Sequence, residues 1–470
     1  MIALPGLNLG AQPAESFNLP TSSTTRTQDL AANTEYRFEV SFTRSLTVKL
    51  LSGTAEYFGT ELAPSTTYTF QGTKGAVFTW HGCKLEVGGE VESEYVAEET
   101  QMMSCANAHF ALEALRDRSV QTQTREAGPR ILVVGPENAG KTSLVKTLTA
   151  YAVKSGRQPM VVNLDPRQGM LSVPGSLTVA AFSSIIDIEE GWGSSPISGP
   201  SPIPVKMPLV YHYGLKDAEE GKVFRPLVTR MALAVTSRLE EDSASKQTGF
   251  IIDSPGGISQ GKAGVYENIE HIISEFSVNI VFVIGSERLY SDLSRKYSNR
   301  TTDETVNILR LEKSGGCVDR SEEYMKALRH SQVREYFFGH GENALAPHSQ
   351  AADFTDLNIF RISEGKGIIG SDMTFGGGYD DNNVYGGSVD IYEKITPSGE
   401  IVNKLLAITS ASASDKHDVI RDSSIRGYMY VADIDEAKKR VKLLSPQPGH
   451  VPPNAVIMGS FPEDVPALVG

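Results

Sequence analysis

Residues 130–143 read Arg-Ile-Leu-Val-Val-Gly-Pro-Glu-Asn-Ala-Gly-Lys-Thr-Ser, and few stretches leave a chain so little freedom. Four apolar residues, Ile131, Leu132, Val133 and Val134, predict a buried strand. Gly-Pro-Glu-Asn-Ala-Gly-Lys-Thr at 135–142 then fits G-x-x-x-x-G-K-[ST] at every fixed position, with a helix expected from there. A loop that wraps a polyphosphate with its backbone N–H groups needs glycines where a side chain would block the approach, and a helix N-terminus aimed at the anion. Gly135 and Gly140 meet that need, with Asn138, Ala139 and Ser143 completing the cradle. Lys141 would reach the β- and γ-phosphates, and the Thr142 hydroxyl would hold Mg²⁺. Binding of ATP or GTP is the first expectation.

A chain of 470 residues is too long for one ordinary core and suggests several domains. With 44 basic and 57 acidic side chains the formal charge is −13, so the totals do not support a broad basic surface for nucleic acid, although a local basic groove is compatible with them. Cys83, Cys105 and Cys317 lie far apart without metal-ligand spacing, which argues for a reducing compartment. Met-Ile-Ala-Leu-Pro-Gly at the start lacks the basic region and long apolar run of a secretory signal. No segment approaches the ~18 apolar residues of a spanning helix, so an intracellular protein with no membrane partner is expected.

Over residues 34–96 apolar and polar residues alternate in short runs between turn signals, predicting a small all-β module. Its six late glutamates, Glu86 to Glu99, read as a solvated face. Over 102–118, Ala106, Phe110 and Leu115, with Met103, recur at helical spacing and are expected to dock this module onto the next domain. The polar stretch 119–129 reads as a linker. The expected division is therefore an N-terminal β module with docking helix at 1–118, a linker at 119–129, an α/β domain at 130–340 and a C-terminal β module at 341–470.

The α/β domain alternates strands with helices, the pattern of a parallel sheet covered on both faces. A helix is expected over 141–154 and a strand over 159–164, ending in Asp-Pro-Arg-Gln-Gly at 165–169. Ligands in such sheets gather at the carboxyl ends of strands, so Asp165 is placed to face the phosphates. A proline-rich irregular span at 196–208 precedes a helix over 225–239. The strand 249–253 finishes in Asp253, the expected Walker B carboxylate of the Mg²⁺ shell. After a helix near 265–276 and a strand over 278–284, Arg288 and Arg295 emerge just beyond a strand end. They could close over a transferring phosphoryl group, or be surface arginines of an ordinary helix. A strand over 305–311 and a helix over 321–338 complete the domain.

Beyond residue 340 the pattern loses its helices. Short β-like runs at 357–362, 389–395 and 427–431 are separated by turn-rich segments, including Phe-Gly-Gly-Gly-Tyr at 375–379, which reads as a surface loop. Lys438, Lys439 and Arg440 fit a nuclear address or a charged strand edge equally well. Asp-Ser-Pro-Gly at 253–256 also fits the D-x-x-G of a GTPase, but the base-reading N-K-x-D is missing: Asn403-Lys404-Leu405-Leu406 lacks the aspartate.

Several motifs then occur in one order: the β module, the phosphate loop, Asn-Leu-Asp-Pro-Arg-Gln-Gly, Val-Pro-Gly at 173–175, Asp-Ser-Pro-Gly, Glu-Arg-Leu-Tyr-Ser-Asp-Leu and Arg-Glu-Tyr-Phe-Phe-Gly at 334–339. That order resembles the Clp family of polynucleotide 5′-hydroxyl kinases and pre-mRNA cleavage factor subunits, most of all its fungal members, over nearly the whole chain. The resemblance implies an α/β fold, with a central P-loop NTPase parallel sheet flanked by all-β modules, and a nuclear role in mRNA 3′-end cleavage and polyadenylation. It implies ATP and Mg²⁺ as cofactors, with Glu35 and Lys74 of the capping module at the adenine end, Thr142 and Asp253 on the metal, and Arg288 and, more weakly, Arg295 as lid arginines. The implied partners are the RNA polymerase II tail-binding subunit, other subunits of the cleavage factor and, for a kinase, RNA. Trp192 falls where the family clasps the RNA end; its ring is expected either to stack on a base or to be buried. Active members carry Asp-x-Gly-Gln, whose aspartate accepts the proton of the RNA 5′-hydroxyl. Here Asp165-Pro166-Arg167-Gln168 keeps the base and loses the glycine, so ATP is expected to be held, with turnover depending on Arg167.

Overall fold

The computed structural model describes residues 25–121, 127–193, 207–218, 223–261, 264–298, 305–341, 343–362, 391–466 and 468. The glycine cluster at 375–379, most of the proline-rich span at 196–208 and part of the 119–129 stretch lie outside them.

Alternation in the first hundred residues gives two sheets. One has four strands in the order Arg26–Leu30, Cys83–Gly89, Leu46–Gly53, Thr67–Phe70; the other has five and includes Lys74–Thr79, Thr34–Glu39 and Ser93–Ala97. Their inward residues, among them Tyr36, Phe38, Val48, Val77 and Leu85, form a core of their own, which Ile188 of the central region joins. Helix α1, Met102–Gln121, leaves this module. Its packing face differs from the apolar stripe: Met103 and Phe110 are 55 % and 67 % exposed, while Met102, Ala106, His109, Leu112, Arg116 and Ser119 are buried. Hydrophobic periodicity misplaces the face because part of it is polar. Buried Arg116 is held by Glu113 at 2.6 Å and by the carbonyl of Thr248 at 3.1 Å, which repays its desolvation.

The central sheet has seven strands in the order Leu209–His212, Ser176–Ala181, Met160–Asn163, Phe250–Asp253, Arg130–Val134, Ile280–Ile284, Asn307–Leu311. The last five are parallel, as expected from their continuous apolar runs; Ile131 to Val134 are fully buried. Ser176–Ala181 pairs antiparallel with both of its neighbours, so the sheet is mixed rather than purely parallel. A two-residue-period reading misses this strand because it is buried nearly throughout and carries serine and threonine inside. Helices α2 (Lys141–Lys154), α3 (Phe224–Glu241), α4 (Ser243–Thr248), α5 (Glu267–Glu275), α6 (Glu287–Ser298) and α7 (Glu322–Phe338) belong to this region. Ser321 caps α7, its hydroxyl accepting from the Tyr324 amide at 3.1 Å.

The C-terminal module is one seven-stranded sheet that includes Leu405–Ser412, Ile425–Asp435, Arg440–Ser445 and Asn454–Met458. It contains one short helix the sequence reading omits, α8 at His417–Arg421. Lys438 and Lys439 lie exposed in the turn before the strand Arg440–Ser445, and Arg440 pairs with Asp353 of the neighbouring strand at 3.0 Å. Among the described residues, no helix is long and apolar enough to cross a membrane.

Candidate functional site

The strand Arg130–Val134 delivers its chain to the carboxyl edge of the sheet, where residues 135–140 turn before α2 begins at Lys141. Gly140 caps α2 with φ of 88°, and a Cβ there would sit 2.8 Å from the Cys317 Sγ. Gly135 is required for a different reason from the one the motif suggests. It does not face the ligand space; a Cβ on it would meet the Ile284 carbonyl oxygen at 2.4 Å, so glycine lets two neighbouring strand ends pack. Its amide donates to the Ser259 hydroxyl at 3.0 Å.

Above the loop lies a cavity of about 270 Å³ with three walls. The floor is Asn138, Ala139, Gly140, Lys141, Thr142 and Ser143. The N-terminal module supplies Glu35, Arg37, Lys74 and Tyr95, and α1 adds Met102 and Cys105. The segment between the strand Asn307–Leu311 and α7 closes the third side with Ser314, Gly316, Cys317 and Arg320. Glu35 is buried; its carboxylate accepts from the Arg37 Nε at 2.7 Å and from the Thr100 hydroxyl. Lys74 pairs with Glu39 and lies 5.2 Å from the centre of the Tyr324 ring.

At the loop end the charged groups Lys141, Asp165 and Asp253 are buried. Lys141 donates to the Pro136 carbonyl at 2.8 Å; burial pushes its ammonium pKa down, with Asp253 and Asp165 opposing that shift. The Thr142 hydroxyl donates to the Asp253 Oδ2 at 2.5 Å. Burial raises the Asp253 carboxyl to about 6, and its Oδ1 is buried with no hydrogen-bond partner among the described residues. An orphaned carboxylate oxygen beside a hydroxyl, at the end of a parallel strand, is the donor set a hard divalent cation takes together with phosphate oxygens and water. The residues present therefore fit Mg²⁺.

Asp165 borders this cavity and also a second cleft of about 260 Å³, which Lys146, Glu189, Trp192, Tyr324 and Glu335 help to line. It is held in an Asx turn: its Oδ1 accepts from the Arg167 amide at 3.0 Å, and its own amide donates to the Asn163 Oδ1 at 2.9 Å. The Arg167 guanidinium does not point into either space. It pairs with Glu137 of the phosphate loop and Asp217 of the loop after the strand Leu209–His212. Trp192 is half-buried at the rim of the second cleft, edge-on to Phe182 with ring centres 5.4 Å apart.

Arg288 and Arg295 are not brought to the cavity. Both are exposed on α6, Arg288 with a side chain 72 % exposed and a loose pair to Asp292 at 3.8 Å. An arginine that does line the cavity beside the phosphate loop is Arg320, which sequence reasoning passed over. Its Nε donates to the Asn138 Oδ1 at 2.9 Å and its Nη1 to the Gln168 Oε1 at 3.0 Å, joining the phosphate loop to the Asp165 segment. The signal that selects Arg288 applies equally to Arg320, since Gly-Gly-Cys-Val-Asp-Arg at 315–320 also follows a parallel strand and precedes a helix.

Three family profiles match the chain in succession: the N-terminal beta-sandwich domain of polyadenylation factor over residues 29–119, the mRNA cleavage and polyadenylation factor CLP1 P-loop over 135–339, and pre-mRNA cleavage complex II protein Clp1 over 345–463. The mRNA cleavage and polyadenylation factor CLP1 of Phaeosphaeria nodorum is 74 % identical, with all of both chains covered. Its counterpart in Botryotinia fuckeliana is 50 % identical, again over all of both chains. The solved structure of a wild-type Clp1p–Pcf11p complex superposes with a TM-score of 0.81 at 29 % identity, covering 93 % of this chain and 97 % of that one. A second structure, of an extended Pcf11p–Clp1p interface and the basis for ATP loss in a glycine-to-arginine point mutant, gives a TM-score of 0.81 at 28 % identity, covering 93 % of this chain and 98 % of that one. Three consecutive profiles and full-length identity of this extent place the chain in the mRNA cleavage and polyadenylation factor CLP1 family.

Proposed function

We propose that the chain is an ATP-binding subunit of the nuclear machinery that cleaves and polyadenylates pre-mRNA 3′ ends, and that it holds Mg-ATP as a structural ligand while scaffolding its partners. One observation carries this reading: the cavity over the phosphate loop is walled by the N-terminal module, the loop itself and residues 314–320, so one ligand would bind three separate chain segments together. Lys141 and Arg320 would take the β- and γ-phosphates, Thr142 and Asp253 the Mg²⁺, which when bound supplies charge neutralisation. Glu35 and Lys74 would meet the adenine end. A ligand bound only by the folded state stabilises it by mass action, turned over or not. A subunit related to Pcf11p, and others of the cleavage factor, would be the partners. Purified protein is expected to carry nucleotide through gel filtration and Lys141→Ala to lose it, with at least ~100-fold weaker binding by calorimetry. Protein that emerges nucleotide-free yet assembles with its partners would defeat the reading.

A second reading, a polynucleotide 5′-hydroxyl kinase, is favoured by the position of Asp165 between the two cavities. Asp165 would accept the proton of an RNA 5′-hydroxyl as its oxygen bonds to the γ-phosphorus and the bond to ADP breaks. Transfer of labelled γ-phosphate to a 5′-hydroxyl oligoribonucleotide, abolished in Asp165→Asn, would establish it. Arg288 and Arg295 would have to swing in with α6 to act as lid residues there.

A further inference from the structure

The Lys141 ammonium has three carboxylates acting on it, Asp253, Asp165 and Glu137, against one further cation, Arg320. Such a balance is poor for a polyanion, and Glu137 is its oddest member, an acidic side chain inside the phosphate loop itself. Its backbone has no room to withdraw: a Cβ on Gly256 would lie 2.6 Å from the Glu137 amide nitrogen and 2.5 Å from its Cγ. Its carboxylate stands four residues before Lys141 in the same loop and is one of the charges that act on that ammonium. The Arg167 guanidinium bridges Glu137 and Asp217, and those two carboxylates together with Asp165 hold it firmly charged.

We propose that Arg167 is a charge-compensating positioning residue, which neutralises the carboxylates of Glu137 and Asp217 and thereby makes an acidic phosphate loop able to retain a nucleoside triphosphate. The inference rests on the nucleotide-holding reading and adds a specific dependence to it. Restoring the glycine of the Asp-x-Gly-Gln pattern would then weaken retention of nucleotide rather than improve the site, because it strips the cation and leaves the Glu137 carboxylate of the phosphate loop uncompensated.

The test is the dissociation rate of a fluorescent ATP analogue with Mg²⁺ from the full-length chain, at about 50 mM and about 500 mM salt. At low salt Arg167→Gly is expected to release the analogue at least ~10-fold faster, Arg167→Lys within ~3-fold of wild type, and Glu137→Gln combined with Arg167→Gly also within ~3-fold. The difference between Arg167→Gly and wild type is expected to shrink at high salt, since repulsion is screened and a folding defect is not. Should Arg167→Gly not fold, Arg167→Gln replaces it in the same comparison. Unchanged release in Arg167→Gly, no rescue by Glu137→Gln, or acceleration equal at both salt concentrations overturns the compensation while leaving nucleotide holding intact. Failure of the wild type to bind the analogue overturns both.

Discussion

The N-terminal and C-terminal modules meet the central sheet in opposite ways. The C-terminal seam is a closed aromatic core: Tyr336, Phe337, Tyr428 and Tyr430 stack edge-on with ring centres 5.1 to 6.4 Å apart, the Tyr336 hydroxyl accepts from the Tyr428 amide at 3.0 Å, and one hydrophobic cluster runs from Leu132 to Ile457 without a break. Buried Arg329 on α7 fastens to Glu463 across the same boundary. The N-terminal seam is sparser and mixed: Ile188 joins the N-terminal core and Phe78 packs with Tyr151 of α2, while the Tyr324 hydroxyl donates to the Gly72 carbonyl at 3.0 Å and the Thr60 hydroxyl to the Ile186 carbonyl at 3.2 Å, with a cavity between. Apolar burial holds a seam without help. A sparser seam around a cavity would draw part of its stability from a ligand that fills that cavity.

The contrast between the seams breaks most visibly at Tyr428. Tyr428→Ala is expected to cost about 3–5 kcal/mol in denaturant unfolding, with the same loss whether or not ATP and Mg²⁺ are present. A cost that nucleotide repays would mean the C-terminal seam depends on ligand after all.

Next in size is Asp253. Its folded carboxyl, raised to about 6 from an ordinary value near 4, binds a proton that the unfolded chain has released. Stability without metal should therefore fall as pH rises from about 4 to about 6, by an amount of order 1–3 kcal/mol. His212 works in the opposite direction, since burial lowers it to about 4 and the unfolded chain binds the extra proton over the same range. The informative quantity is the difference between wild type and Asp253→Asn: the variant should lack the falling component and gain stability with pH. Identical pH profiles would remove Asp253 from the account.

The smallest effect separates two arginines. Arg320→Ala should weaken ATP binding by about 10-fold, a loss of about 1.4 kcal/mol, whereas Arg288→Ala should change it by less than about 2-fold. Calorimetry decides, and the reverse ranking would show that α6 rather than residues 314–320 closes over the phosphates.

What the sequence alone settled is local or periodic. A strand, a glycine turn and a helix that starts at Lys141 follow from contiguous residues, because backbone conformation and apolar runs are short-range properties. Asp165 and Asp253 were likewise legible, since the end of a buried parallel strand is a place that can be counted to. The family order of motifs added Glu35 and Lys74, which their own surroundings in the chain do not distinguish from surface residues. Only the tertiary structure decided the rest. It chose the face of α1, where Arg116 is buried because a carbonyl 132 residues away receives it. It placed Arg320, and not Arg288, against the phosphate loop, although the strand before Arg288 is the direct neighbour of the loop's own strand: the chain after Asn307–Leu311 folds back over the loop, whereas Arg288 is carried outward on α6. It also turned Arg167 onto Glu137 and Asp217, because a charged side chain goes to the opposite charges that folding sets beside it, and those lie 30 and 50 residues away in the chain.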